Sequence, residues 1–186
     1  MQPAGDADLA RAAAAGDAGS FDQLVGRHAP RLLRWLTATG TPHHDAEDAA
    51  QEAFIRAHRA IARYDPRWAF STWLFTIAHR VRIDIAERRR DHVRIDAGSG
   101  LAAGETISSE PDLPPGSLWA RARATLSADD FRLLWLHYAE DLAPGDVARV
   151  LGISGIAARV RLHRARKRLE STLRADPTFQ FAGAMP

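Results

Sequence analysis

Two clusters of side chains carry the chemistry that this chain could do. The first is His43-His44-Asp45-Ala46-Glu47-Asp48-Ala49-Ala50-Gln51-Glu52, with two histidines and four carboxylates in ten residues. Such a set could hold a divalent metal for phosphoester hydrolysis. The spacing argues against it. His43 and Asp48 are five apart, off the i+3 and i+4 positions that share a helix face, and no second His–carboxylate cluster completes a ligand set. No metal, no cofactor and no catalytic residue is therefore expected. The second cluster runs from Arg159 through Val160, Arg161, Leu162, His163, Arg164, Ala165 and Arg166 to Lys167 and Arg168. Its chemistry is binding: guanidinium groups at helical spacing suit phosphate oxygens and guanine edges.

The basic cluster closes a longer pattern. From Leu142 to Leu169 the chain reads as two short helices around the tight turn Leu151-Gly152-Ile153-Ser154. This is the layout of a helix-turn-helix with a basic recognition helix. On that helix Ala158, Leu162, Ala165 and Leu169 recur at helical spacing and form the expected buried seam. Val160, His163, Arg164 and Lys167 face outward, with Arg159, Arg161 and Arg168 at the sides. Residues early on such a helix usually reach base edges and later ones reach phosphates. Arg159, Val160 and Arg164 are the expected base contacts; Arg161, Lys167 and Arg168 are the expected phosphate contacts.

Composition narrows the class. The chain has 186 residues, 46% of them hydrophobic, and no cysteine, which excludes disulfides, thiol catalysis and Cys-ligated zinc. No apolar run approaches the roughly 20 residues of a membrane span, and the start MQPAGDADLA lacks the basic and apolar regions of a signal peptide. A soluble cytoplasmic protein without membrane insertion is expected. Net charge is only +2, yet residues 61–95 hold 8 basic against 4 acidic side chains, whereas residues 96–120 hold 4 acidic and none basic. Two basic blocks around an acidic stretch suggest two contacts with a polyanion.

The elements that must position these clusters are all helical. Asp6 is expected to cap a short Ala-rich helix ending near Gly16. Ser20 with Gln23 reads as a capping box opening a second helix, in which Pro30 predicts a kink or break. Thr41-Pro42 reads as a cap followed by Pro at the first helical position of a third helix, running to about Arg63. Ser71 is expected to cap a long helix from Thr72 to about Arg90. Residues 91–116, with four Gly and three Pro from Gly98 onward, read as a linker. Leu118 to Leu126 is a helix, and Ser127 caps another. The expected fold class is all-α: two small helical domains, at residues 6–92 and 117–175, joined by a flexible acidic linker at 93–116.

The long helix of the first domain carries a second candidate nucleic-acid face. Projected at about 100° per residue, Phe70, Trp73, Leu74, Ile77, Val81, Asp84, Ile85 and Arg88 fall on one side, where Asp84 is expected to pair with an arginine. The opposite side carries Thr72, Thr76, His79, Ile83 and Arg90, flanked by Arg80 and Arg82, and the helix ends in Arg88-Arg89-Arg90. A favourable helix C-terminus accounts for one or two of these arginines; phosphate contact accounts for the rest. On the helix before it, Asp45, Asp48, Glu52, Arg56 and Arg59 recur at i+3 and i+4, a polar ridge suited to a basic partner helix.

These stretches together resemble the ECF (extracytoplasmic-function) group of bacterial sigma-70-type factors. The carrying segments are FDQLVGRHAPRLLRWL (21–36), DAEDAAQEAFIRAHRA (45–60), YDPRWAFSTWLFTIAHRVRID (64–84) and the helix-turn-helix (142–169). The resemblance implies that the first three form region 2 and the last belongs to region 4. It implies that Asp45, Asp48, Gln51, Glu52 and Phe54 meet the β′ clamp helices of core RNA polymerase. It implies that the loop and helix spanning Asp65 to Arg82 help to melt and read the −10 promoter element. Region 4 then reads the −35 element and sits on the β-flap, and the linker passes near the RNA path. An anti-sigma partner, a nucleoid location during activity and a non-catalytic role follow from the same likeness.

The chain departs from the family at the start of the recognition helix. A Gly-Thr-Val-Lys-Ser run is usual there, and this chain has Ile156-Ala157-Ala158-Arg159-Val160; the usual Asn of the long helix is Arg80. This leaves open a sigma-like decoy that sequesters an anti-sigma protein without binding promoters. A stand-alone helix-turn-helix repressor would leave the first domain unexplained.

Overall fold

The structure is a computed structural model that describes residues 4–98 and 113–175, with the side chains of 90–98 left aside. Among the described residues every regular element is helical. They form two compact units.

The first unit holds α1 (Asp6–Ala14), α2 (Ala18–Ala38), α3 (His43–Ala60), a short 3-10 turn (Ile61–Arg63) and α4 (Phe70–Gly98). Its centre is the α3–α4 pairing. α3 buries Ala46, Ala49, Ala53 and Ala57 at helical spacing, and this strip of single methyl groups lets α4 approach closely. α4 answers with Phe70, Leu74, Phe75, Ala78 and Val81, and α2 adds Leu24, Leu32, Trp35 and Leu36. Trp35 and Phe75 meet edge to face, with ring centroids 5.3 Å apart, a favoured aromatic geometry.

Several helix ends differ from expectation because caps compete. Asp6 is the first helical residue of α1 and caps nothing; its carboxylate accepts from Arg27 Nη1 at 3.0 Å and His28 Nε2 at 2.7 Å, tying α1 to α2. Asp17, not Ser20, caps α2: it accepts from the Gly19 backbone N–H at 3.1 Å and the Ser20 hydroxyl at 2.6 Å. The two anionic oxygens serve two donors at once, which a serine hydroxyl cannot match. α2 is a single 21-residue helix through Pro30; burial along its whole length outweighs the lost backbone bond. α3 begins at His43 with Pro42 as its cap residue, and the Thr41 hydroxyl bonds to no backbone group there. α4 opens at Phe70, one residue ahead of Ser71, and continues to Gly98, past the expected end near Arg90 and into the expected linker. No Gly or Pro intervenes between Arg90 and Gly98 to stop it. The rest of the linker through Asp112, the first three residues and the tail from Asp176 lie outside the described residues.

The second unit holds α5 (Leu118–Thr125), α6 (Ala128–Tyr138), α7 (Pro144–Leu151) and α8 (Gly155–Ala175). Ser117 caps α5 through the Ala120 N–H at 3.1 Å, and Ser127 caps α6 through the Asp130 N–H at 3.2 Å. Leu133, Leu134, Leu136, Phe131 and Val147 make the core with the inner face of α8. Trp119 stacks at a tilt on Trp135, with centroids 4.6 Å apart. The connection from α6 to α7 is fixed by two side chains. Trp135 Nε1 donates to the buried Glu140 carboxylate at 3.2 Å, and His137 Nδ1 donates to the Leu142 carbonyl at 2.7 Å.

Candidate nucleic-acid and polymerase interfaces

The turn of the helix-turn-helix follows from one residue. Gly152 sits at φ 66° and ψ 30°, a left-handed conformation in which a Cβ is disfavoured. This lets the Ile153 N–H reach back to the Ala148 carbonyl at 3.0 Å and close α7. Ser154 then caps α8 by accepting from the Ala157 N–H at 3.1 Å. The predicted seam Ala158, Leu162, Ala165 and Leu169 is buried, joined by Leu173. The helix therefore presents its opposite face: Arg159, Val160, His163, Arg164, Lys167 and Arg168 are all exposed. None of these four arginines and lysines pairs with a carboxylate among the described residues.

Arg161 behaves differently. Its Nε and Nη2 donate to Asp130 Oδ1 at 2.9 and 2.8 Å, and both side chains are partly buried. It fastens α8 to α6 and is not presented outward like its neighbours. Arg166 is likewise taken up by Glu170 at 3.2 Å.

On α4 the structure divides the expected face. Arg80, Ile83, Arg88 and Arg89 are exposed, and Thr76 and His79 are half-buried. Thr72, expected to face a nucleic acid, is fully buried. α4 is wedged against both α3 and α2, so it buries two adjoining stripes. Phe75 and Ala78, absent from the single projected stripe, widen the buried arc until it includes Thr72. Arg89 is also not a free cation: its Nη1 lies 2.6 Å from Asp45 Oδ2. The side chain of Arg90 falls outside the described residues.

The α3 ridge is sorted in the same way. Asp48 and Gln51 are exposed and Glu52 is half-buried, whereas Asp45 and Phe54 are buried. Asp45 faces α4, where it meets Arg89, and Phe54 packs inward toward α2. Arg56 bridges two carboxylates, donating from Nε to Glu52 at 2.7 Å and from Nη1 to Asp84 at 2.9 Å. The expected Asp84–arginine pair is thus a link between α3 and α4. These bonds, the Glu52 one first, hold Arg56 more firmly protonated than a free guanidinium.

Asp48, Gln51 and Glu52 on α3 face Arg88 and Arg89 on α4 across one open groove of about 490 Å³, floored by Ile55, Val81 and Ile85. Residues expected to serve two partners thus line opposite walls of a single depression. The sequence pattern assigned each helix face separately and carried no signal of this groove. The histidines at the start of α3 pair one turn on, His43 with Glu47 and His44 with Asp48, each at 3.6 Å and well exposed. Among the described residues no group of three or more His, Asp or Glu could hold a metal ion, and no helix is long and apolar enough to cross a membrane.

The loop before α4 gathers aromatic rings. The Tyr64 ring lies 5.6 Å from that of Phe70 and 5.3 Å from that of Trp73, and its hydroxyl donates to the Trp68 carbonyl at 2.6 Å. Trp68 itself is 42% exposed. Asp65 accepts from the backbone N–H and side chain of Arg67, which fixes the turn. Burial, reinforced by Asp6 and Asp65, pushes the Tyr64 phenol above its ordinary range.

Comparison with known proteins agrees with both units. Residues 24–93 match the Sigma-70 region 2 family and residues 118–169 match the Sigma-70 region 4 family. The RNA polymerase sigma factor CnrH of Cupriavidus metallidurans is 32% identical over 184 residues, covering 92% of this chain and 96% of that protein. The ECF RNA polymerase sigma factor SigM of Mycobacterium tuberculosis is 30% identical, covering 90% of this chain and 84% of that one. Among solved structures, CnrH in complex with the cytosolic domain of CnrY superposes with a TM-score of 0.66 at 29% identity, covering 92% of this chain and 98% of that one. The fold is shared as well by the sigma factor RpoE of Bartonella quintana, solved with the anti-sigma factor NepR, at a TM-score of 0.65 and 23% identity over 84% of this chain and 98% of that one. A basic helix-turn-helix unit joined to a four-helix unit with this α3–α4 pairing, matched along nearly the whole chain, places the protein in the ECF group of the sigma-70 family of RNA polymerase sigma factors.

Proposed function

We propose that the two units divide the work of promoter-specific initiation. The unit of residues 6–92 docks on core RNA polymerase through the exposed part of the α3 ridge, Asp48, Gln51 and Glu52, against the β′ clamp helices. Its loop from Asp65 and the face with Thr76, His79, Arg80, Ile83 and Arg88 melt and read the −10 element. The unit of residues 117–175 reads the −35 element as duplex in the major groove and rests on the β-flap. Arg159, Val160, His163, Arg164, Lys167 and Arg168 contact DNA, while Arg161 braces the helix that carries them. The stretch between the units is a linker along the RNA path.

The single observation that carries this reading is the outward face of α8. Arg159, Arg164, Lys167 and Arg168 stand exposed with no carboxylate partner among the described residues, opposite a seam of buried Ala and Leu. Four uncompensated cations on one helix face repel one another, and a phosphate backbone relieves that repulsion with release of counterions. The protein acts as a binding subunit with no catalysis of its own, in the bacterial cytoplasm and at the nucleoid when active. An anti-sigma protein holds it inactive. The α3–α4 groove, with an apolar floor and oppositely charged walls, suits an amphipathic partner segment, and the relative CnrH was solved with a partner domain bound.

Run-off transcription with purified bacterial core polymerase on a promoter library tests the reading. Specific initiation only when the protein is added is the expected result. Absence of any core binding overturns it, and tight core binding without initiation at any promoter favours the decoy role.

A further inference from the structure

The outward face of α8 begins with two side chains that a purely electrostatic surface does not need. Ile156 is 70% exposed, the most exposed large apolar side chain among the described residues, and Val160 is 41% exposed. At i and i+4 they sit one above the other, on the ridge that continues through His163, Arg164 and Lys167. Packing does not account for them, since the seam of Ala158, Leu162, Ala165 and Leu169 lies on the other side of the helix. Helix propensity does not either, since β-branched residues rank below the unbranched ones in helices. Isolated exposed apolar residues are ordinary, but these two adjoin each other and are flanked by Arg159 and Arg164, cations without a carboxylate partner among the described residues.

The cations fix the class of ligand as a polyanion, and the apolar pair narrows it. In a DNA duplex the phosphates and most of the base edges are polar, and the apolar group offered in the major groove is the 5-methyl of thymine. We propose that Ile156 and Val160 form a methyl-reading pair that takes up thymine 5-methyl groups of the upstream promoter duplex and sets this factor's sequence preference there. The proposal rests on the reading of α8 as the recognition helix. Four residues of helix rise about 6 Å, and bases along one strand are about 3.4 Å apart. The two side chains therefore address thymines within about two base pairs of each other. Arg164 lies one turn further along the same ridge, where a guanine would be its bidentate partner. An upstream element with closely spaced thymines next to a guanine is the sequence this face fits.

Deoxyuridine lacks only the methyl group, so it isolates the contact. Holoenzyme reconstituted from core polymerase and the full chain is bound to its selected promoter with each upstream thymine replaced in turn by deoxyuridine. Affinity should fall about fourfold per methyl lost at one or two positions, and nowhere else in the element. A chain carrying both Ile156→Ala and Val160→Ser should bind the thymine and deoxyuridine promoters equally well. Both exchanges lie on the exposed face, so the fold is retained. Intact upstream protection that is indifferent to deoxyuridine overturns the methyl proposal alone, as does the same deoxyuridine sensitivity in the double variant. Absence of upstream protection together with a silent Arg164→Ala overturns the recognition-helix reading, and the methyl proposal falls with it.

Discussion

Arg161 on the recognition helix donates two hydrogen bonds to Asp130 near the start of α6, at 2.9 and 2.8 Å. The pair fastens α8 to α6 in the rotation that its buried seam of Ala158, Leu162, Ala165, Leu169 and Leu173 sets. Asp130 also has its backbone N–H bound by the Ser127 cap, so the carboxylate is held on a fixed point. One arginine of the basic cluster is in this way a brace for the others.

A double-mutant cycle of Arg161→Ala and Asp130→Ala should give a coupling of about 0.5–1 kcal/mol in urea unfolding, the modest value of a partly exposed pair. Asp130→Ala should also weaken upstream DNA binding although Asp130 is itself anionic. A plain electrostatic surface would bind DNA more tightly once that carboxylate was removed, so the sign of the change separates the two accounts.

Arg164→Ala should weaken binding to the upstream element by about 1–3 kcal/mol if it holds a guanine edge, and leave affinity for core polymerase unchanged. Asp48→Arg should do the reverse. Asp48 is the cleaner site for this exchange, because Glu52 also secures Arg56. Glu52→Arg should add a loss of stability to the loss of polymerase binding. Both activities are read by fluorescence titration, with labelled core polymerase and a labelled duplex. Loss of the same activity in the Arg164 and Asp48 variants would show that the two units do not divide the work.

Phe75→Ala should cost the first unit about 3–5 kcal/mol, the range for deleting a buried aromatic side chain. Phe75 is 1% exposed and packs edge-on against Trp35. Chemical denaturation followed by tryptophan fluorescence measures it. A loss below about 1 kcal/mol would mean that α4 is not wedged against α2 as described.

Asp17 supplies a pH dependence. The Ser20 hydroxyl, aided by the Gly19 and Ser20 backbone N–H groups, holds its carboxyl below the ordinary Asp value. A depressed folded-state value means that the stabilisation is fully present above the unfolded-state value, is lost as pH falls through the folded one, and is absent in stronger acid. An NMR titration should place Asp17 below a model aspartate. Hydrogen exchange of the first turn of α2 should accelerate as pH is lowered through that range, after correction for intrinsic exchange, and Asp17→Asn should abolish the dependence. Titration of Asp17 at the ordinary value would remove the cap from the account.

What could be read from the sequence is what is local or periodic. The seam of α8 repeats every three to four residues, Gly152 falls in the tight turn between the two short helices, and Ser127 caps the helix that follows it. Those features decide that the protein is helical, that it carries a helix-turn-helix and which way the basic helix turns. The tertiary structure decided which candidate residues remain free to act. Thr72 is buried because α4 packs on two neighbours and hides two stripes, where one stripe was projected. Asp45 and Arg89, far apart in the chain, neutralise each other across α3 and α4, and Arg161 is consumed by Asp130. One difference was local and not tertiary: Asp17, three residues before Ser20, caps α2 in its place because its two oxygens serve more donors. For Thr72, Asp45, Arg89 and Arg161 the outcome depends on a partner brought near by folding, and a contact between distant residues leaves no periodic trace in the chain.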